Sequence, residues 1–312
     1  MSLIEQAAKR LEQLRQAGVE LPNDPPINPL LVKQQATPLP EAIPAKIQEP
    51  EPTPKQAPPP AAPSASIKRV DIDLDAIAAS GLLVPHASRS QLADEFRVIK
   101  RPLIANAMGK SGTQITNGNL IMITSALPGE GKSFTAINLA ISIAMELDNT
   151  VMLVDADVAR PSVLNMLGLP PAPGLLDVLD KNSVDISGVL MRTNIEKLSI
   201  LPSGTKHPRA TELLASDAMV RLLDDMANRY SDRIIVFDSP PLLLTTESRV
   251  IATHMGQVVV VVNAEQTLQS AVMQAVATIQ ACPVKMMVLN QSRQAASDGY
   301  GYGYGYGYGN EN

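Results

Sequence analysis

The chain has 312 residues, 45% of them hydrophobic, and a formal net charge of −5. That length holds one large or two small domains with a sizeable core, and the acidic balance argues against a general nucleic-acid surface. A single cysteine, Cys282, excludes an internal disulfide or a cysteine metal cluster and fits a reducing cytoplasm. The three histidines (His86, His207, His254) are scattered and make no metal motif. No run of 18 apolar residues is present to span a membrane.

The first segment, residues 1–21, is predicted to hold an amphipathic helix. Ile4, Leu11 and Leu14 recur at helical spacing among Glu5, Lys9, Arg10, Glu12 and Arg15. Its mixed charges suit a protein partner better than a lipid surface, and they do not read as a signal peptide. Residues 22–66 form the second segment. From Pro22 to Pro63 lie 14 of the 26 prolines and no glycine, so a disordered, stiffish Pro-rich linker is expected there.

The main domain is assigned to residues 67–293. "DIDLDAIAASGLL" and "SQLADEFRVIK" read as short helices. Six apolar runs then alternate with helical stretches: "NLIMITS", "TVMLVDAD", "KLSILPS", "DRIIVFDSPP", "GQVVVVVNAE" and "VKMMVLNQ". Nearly continuous apolar strands separated by helices predict an α/β fold, a mostly parallel sheet flanked by helices on both faces. Ligands in such folds sit at the carboxyl ends of the strands. Ser125, Asp155, Asp157, Asp238 and Asn290 fall there.

"ITSALPGEGKSFTAINLA" follows one of those strands and opens a helix, which is the setting of a phosphate-binding P-loop. Pro128, Gly129, Glu130, Gly131, Lys132, Ser133 and Phe134 make up the loop and first helical turn expected to hold the nucleotide. Glycines let the backbone wrap phosphates, and a helix N-terminus supplies free N–H groups. Lys132 would reach the β- and γ-phosphates and Ser133 would ligate Mg²⁺. The strict pattern has glycine where this chain has Ala126. Asp155, Asp157 and Asp238 at neighbouring strand ends supply carboxylates for Mg²⁺, directly or through water.

These three motifs, in this order, resemble the bacterial tyrosine kinases, P-loop enzymes that control surface polysaccharide synthesis and export. The loop is similar to their Walker A, "DADVARP" to their second aspartate motif and "FDSPP" to their Walker B. "DEFRVIKRPL" resembles their acidic–x–x–Arg–x–x–basic assembly helix through Asp94, Arg97 and Lys100. The layout looks most like the stand-alone cytoplasmic autokinases of exosortase-linked exopolysaccharide clusters. The resemblance implies ATP and Mg²⁺ as cofactors, ring-like self-assembly, and an inner-membrane polysaccharide co-polymerase or chain-length protein as partner. The kinase would then be cytoplasmic and peripheral to the inner membrane. Family members often carry Arg where this chain has Ala159, with Arg160 following as a candidate phosphate contact. The related partition and division-site ATPases share an adenine-side asparagine, which would be Asn290, but carry a second P-loop lysine where this chain has Leu127.

The last segment, residues 294–312, contains "SDGYGYGYGYGYGNEN". Five of the six tyrosines sit on it, at Tyr300, Tyr302, Tyr304, Tyr306 and Tyr308. A glycine–tyrosine string is a poor strand by itself. Its tyrosines have almost the same neighbours, which suits phosphorylation at many sites, with Asp155 or Asp157 accepting the phenol proton. The expected activity is therefore ATP-dependent tyrosine autophosphorylation of this tail. A nucleotide-switched assembly protein and a positioning ATPase are the alternatives.

Overall fold

The computed structural model describes residues 68–86, 89–180, 185–229 and 233–292. The expectations for residues 1–67, for residue 293 and for the 294–312 tail with its five tyrosines lie outside the described residues.

Strand β1 (Lys68–Val70) and helices α1 (Leu74–Ala79) and α2 (Gln91–Ala107) open the described chain. Strand β2 (Leu120–Ser125), helix α3 (Lys132–Ala144) and strand β3 (Thr150–Asp155) follow. Short helices α4 (Val163–Met166), α5 (Leu175–Asp180) and α6 (Ile186–Val189) lead to strands β4 (Met191–Thr193) and β5 (Leu198–Leu201). Helices α7 (Ala210–Leu214) and α8 (Asp217–Arg229) precede strand β6 (Arg233–Asp238). Helix α9 (Glu247–Thr253), strand β7 (Gln257–Asn263), helix α10 (Gln269–Ala277) and strand β8 (Val284–Asn290) complete it.

The eight strands form one sheet in the order β1-β4-β5-β3-β6-β2-β7-β8. Each pairing is parallel except β4 with β5. The central strands are apolar on both sides because both faces are covered. Leu120 and Met122 of β2 point into one core, and Ile121 and Ile123 into the other. Val258 and Val260 of β7 divide from Val259 and Val261 in the same way. This is the period of two read across a doubly covered sheet. Helix α3, next to β2 in sequence, is buried on every side from Thr135 to Ala144. Such a helix is held by packing more than by propensity.

All six strands expected from the sequence are present. β1 and β4 were not expected. Each is three residues long, "KRV" and "MRT", too short to show a period. Helix α2 is longer than expected, since it continues through Pro102. Proline removes one N–H from the ladder, but Leu103, completely buried, holds the following turn against the core. Ser90 caps the other end by accepting from the Ala93 N–H at 3.2 Å. Among the described residues no helix is long and apolar enough to cross a membrane.

Candidate active site

The site is built where β2, β3 and β6 end. These strands are neighbours, so the topology alone brings the P-loop and two aspartates together. Asp155 and Asp238 are register partners, one on each strand. The Ala156 N–H donates to the Asp238 carbonyl at 2.8 Å and fixes the two strand ends side by side.

The loop between β2 and α3 turns on Gly129 and Gly131, with φ of 83° and 89°. This left-handed backbone favours glycine. At Gly131 there is a second reason. A Cβ there would lie 2.0 Å from Asn290 Nδ2 and would push that amide away from the loop. Asn290 Nδ2 donates to the Glu130 carbonyl at 2.9 Å, and Gln291 Nε2 donates to the Gly129 carbonyl at 3.2 Å. The end of β8 thus clamps the loop.

Lys132, the first residue of α3, extends Nζ back to the strand ends. It lies 2.7 Å from Asp157 Oδ2, 3.7 Å from Asp238 Oδ1 and 3.2 Å from Ser133 Oγ. Asp155 Oδ2 accepts from the Ser162 and Val163 N–H groups at 3.2 and 3.1 Å. Asp157 accepts from the Arg160 N–H at 3.1 Å, a turn that places Asp157 toward the lysine. Ser162 Oγ donates to Ser133 Oγ at 2.8 Å and joins the second aspartate motif to the P-loop. Ser162 was not singled out from the sequence. Its position seven residues after Asp155, on the turn into α4, is the signal that could have found it.

Other expected residues take different places. The Glu130 carboxylate is buried and faces the protein: it accepts from the Leu127 N–H at 2.6 Å and from the Thr267 hydroxyl. It braces the loop against the β7–α10 connection, so only its backbone is left to face a ligand. Phe134 packs against the core on the α2 side of the sheet. The exposed Arg160 lines a cavity of about 360 Å³ with Gly129, Lys132, Asp157, Ala159 and Pro241. Of the assembly triplet, Asp94 and Arg97 form an ion pair at the surface. Lys100 does not share that surface. It is buried, with Nζ 2.6 Å from the Ser142 carbonyl and 2.6 Å from Glu146 Oε1.

A family model described as "AAA domain" matches residues 118–291. The tyrosine-protein kinase YwqD of Bacillus subtilis (strain 168) is 33% identical over 167 residues, covering 54% of this chain and 69% of that protein. The chain belongs to the bacterial tyrosine-protein kinases. Among solved structures, the kinase domain of the Escherichia coli tyrosine kinase ETK is similar at 26% identity and a TM-score of 0.59. That match covers 72% of this chain and 86% of the other. The succinoglycan biosynthesis transport protein ExoP of Rhizobium meliloti is 35% identical over 157 residues, 49% of this chain but 19% of that longer protein.

In this tyrosine kinase the acids are in tension. Burial pushes Asp155 up to about 7, and the nearby Asp238 carboxylate adds to the rise. Burial likewise lifts Asp238 to about 6, against the opposing charge of Lys132. For Lys132, burial pulls downward, but Asp238 and Asp157 outweigh it and hold the ammonium above its ordinary value. Asp155 Oδ1 and both oxygens of Asp238 are buried without a hydrogen-bond partner. Buried carboxylate oxygens that accept no hydrogen bond are costly, and a further cation beside them offsets that cost. With the Ser133 hydroxyl, they make an all-oxygen donor set that fits Mg²⁺, which keeps several waters and takes phosphate oxygens as well. Among the described residues no group of three or more His, Cys, Asp or Glu side chains able to hold a metal ion by themselves is found.

The raised acids set a pH dependence. Between about pH 4 and 7 the folded chain holds more protons than the unfolded one, so stability falls as pH rises through that window. The thermal midpoint of the nucleotide-free protein is expected to drop by about 5 °C from pH 5 to pH 8. Asp155→Asn should remove most of that drop. Scanning calorimetry checks it, and an equal drop in both proteins would contradict the assignment.

Proposed function

We propose that the chain is an ATP- and Mg²⁺-dependent tyrosine autokinase whose acceptors are Tyr300, Tyr302, Tyr304, Tyr306 and Tyr308. The observation that carries the reading is Lys132 held among Asp155, Asp157 and Asp238 at the mouth of a P-loop. Loop N–H groups and Lys132 suit the β- and γ-phosphates. Ser133, Asp155 and Asp238 would hold Mg²⁺, which when bound supplies positive charge to the phosphoryl oxygens. Arg160 lines the same cavity and would meet the same phosphates.

Asp155 also borders a second cavity of about 590 Å³, walled by Pro161, Pro171 and Pro173 with Lys206 near. Flat proline walls suit a tyrosine ring. A phenol entering there meets Asp155 with its oxygen leading. The phenol oxygen bonds to the γ-phosphorus while the bond to the departing ADP oxygen breaks, and the phenol proton passes to Asp155 or Asp157. A positioned carboxylate within reach of the phenol serves as the general base.

Relatives named for tyrosine kinases and for succinoglycan biosynthesis transport support a role in exopolysaccharide polymerisation and export. The proposed setting is a ring of identical subunits, cytoplasmic, recruited to the inner membrane by a polysaccharide co-polymerase. Asp94 and Arg97 would contribute to the subunit contact from the exposed side of α2, with Lys100 holding the helix to α3 through Ser142.

Transfer between subunits is tested by mixing. A Lys132→Met subunit cannot transfer, and a subunit with all five tail tyrosines changed to Phe cannot accept there. Mixed with labelled ATP and Mg²⁺, the first should carry label on its tail. No label in the mixture, with normal label in the unmodified protein, would confine transfer to one chain.

A further inference from the structure

Among the described residues the sheet ends in β8, with no strand against its outer side. The Asn290 carbonyl accepts from the Ala264 N–H at 2.9 Å, so Asn290 and the residues in phase with it turn their backbone groups toward β7. Lys285, Met287 and Leu289 are out of phase and turn theirs toward the open edge. Their side chains lie on the face opposite Met286 and Val288, and Met287 and Leu289 are 64% and 68% exposed. Facing this edge is helix α2, with Val98 72% exposed. A groove of about 580 Å³ runs between them, with Glu95 on its wall and Gln291 and Ser292 at one end. An open edge lined by apolar side chains is a pairing site.

We propose that the occupant is the chain's own segment Tyr300–Tyr308, returning antiparallel to β8 as a ninth strand. Three observations select it. The described chain leaves β8 at Ser292, inside the groove, and only residues 293–299 separate that point from the first tail tyrosine. A connection that short gives the segment a high effective concentration at the edge. The tail alternates Tyr and Gly with a period of two, so a strand puts all five rings on one face and only glycine on the other. Placed opposite Met287 and Leu289, the rings cover those two side chains, and sulfur–aromatic contact adds to the burial at Met287. The glycine face then turns toward α2, where little room is needed.

The string is a poor strand alone because glycine loses most on ordering. An edge already held in place offers ladder bonds and apolar cover that offset this. The repeat also makes the register degenerate. Sliding by two residues restores the same contacts, so each tyrosine in turn can leave the edge. Resting on the proposed autokinase activity, release follows from charge. Each phosphotyrosine carries about −1.5 to −2, and such a charge cannot be buried against the apolar side chains of Met287 and Leu289. The edge therefore stores the unphosphorylated tail and lets the phosphorylated one go.

The test uses the full chain, phosphatase-treated and free of nucleotide, with amide exchange followed by nuclear magnetic resonance. The Leu289 N–H should exchange at least about tenfold more slowly than in a chain with all five tail tyrosines changed to Ser. The Asn290 N–H, facing β7, should not change. Met287→Pro removes an outward N–H together with the side chain the rings would cover, and it spares the β7 ladder. It should lower the anisotropy of tyrosine fluorescence, which reports mainly on the tail because the chain has no tryptophan. Equal Leu289 exchange in the wild-type and Ser-tail chains overturns the proposal. Protection that rises with protein concentration overturns it too, by assigning the edge to another copy. A chain that forms phosphotyrosine without this protection loses the stored tail and keeps the kinase reading; protection without phosphotyrosine does the reverse.

Discussion

Lys132→Met should abolish phosphotyrosine, lowering transfer by about 10³-fold or more. The ammonium is the cation nearest Asp157 and Asp238, and in the proposed reaction it is the group that follows charge onto the transferring phosphoryl. Methionine fills similar volume but brings neither charge nor donor. The same change strips Asp157 and Asp238 of their counter-charge. Removing one partner of a buried pair costs about 3–5 kcal/mol where the remaining charge cannot be neutralised. Here the remaining carboxylates can take up protons, so the loss should be largest at pH 8 and small at pH 5. Circular dichroism at both values separates a lost fold from lost chemistry. Ordinary labelling by a folded Lys132→Met protein would remove Lys132 from the mechanism.

Asp238→Asn should lower transfer by about 10²-fold or more while leaving the nucleotide-free protein no less stable at pH 8. Buried polar substitutions usually destabilise. This position differs because the native carboxylate is fully buried, and burial raises it to about 6 even with Lys132 Nζ 3.7 Å from Oδ1. At pH 8 the folded chain must carry that charge at a cost, and an amide of the same shape does not. Lys132 keeps Asp157 at 2.7 Å. The amide is, however, a poorer magnesium ligand. Thermal unfolding at pH 8 and labelling with ATP and Mg²⁺ check the two halves. A lower midpoint with full activity would show that Asp238 serves packing and not the site.

The central sheet was legible because strands covered on both faces are continuous apolar runs, as "GQVVVVVNAE" shows for β7. The strand-end aspartates were legible for the same reason, since an abrupt polar residue after such a run marks the carboxyl end. β1 and β4 were not, because three residues carry no period and their pairing is decided by neighbours distant in sequence. Helix α2 past Pro102 was hidden because local propensity argues against it and tertiary contacts, the burial of Leu103 among them, override it. Within the site, spacing located Glu130 on the loop but could not say that its carboxylate turns inward to Leu127 and Thr267. Lys100 shows the same limit. Its place in the triplet is a matter of spacing, whereas its inward turn depends on Ser142 and Glu146, more than forty residues away. The Ser133–Ser162 contact joins two motifs that the sequence presents separately.

The most direct measurement is incubation of the phosphatase-treated chain with γ-labelled ATP and Mg²⁺, followed by mapping of the acid-stable label on peptides. The expected result is phosphotyrosine at Tyr300, Tyr302, Tyr304, Tyr306 and Tyr308, dependent on Lys132 and absent when Mg²⁺ is withheld. Free phosphate without labelled tyrosine, or label confined to other residues, would contradict it.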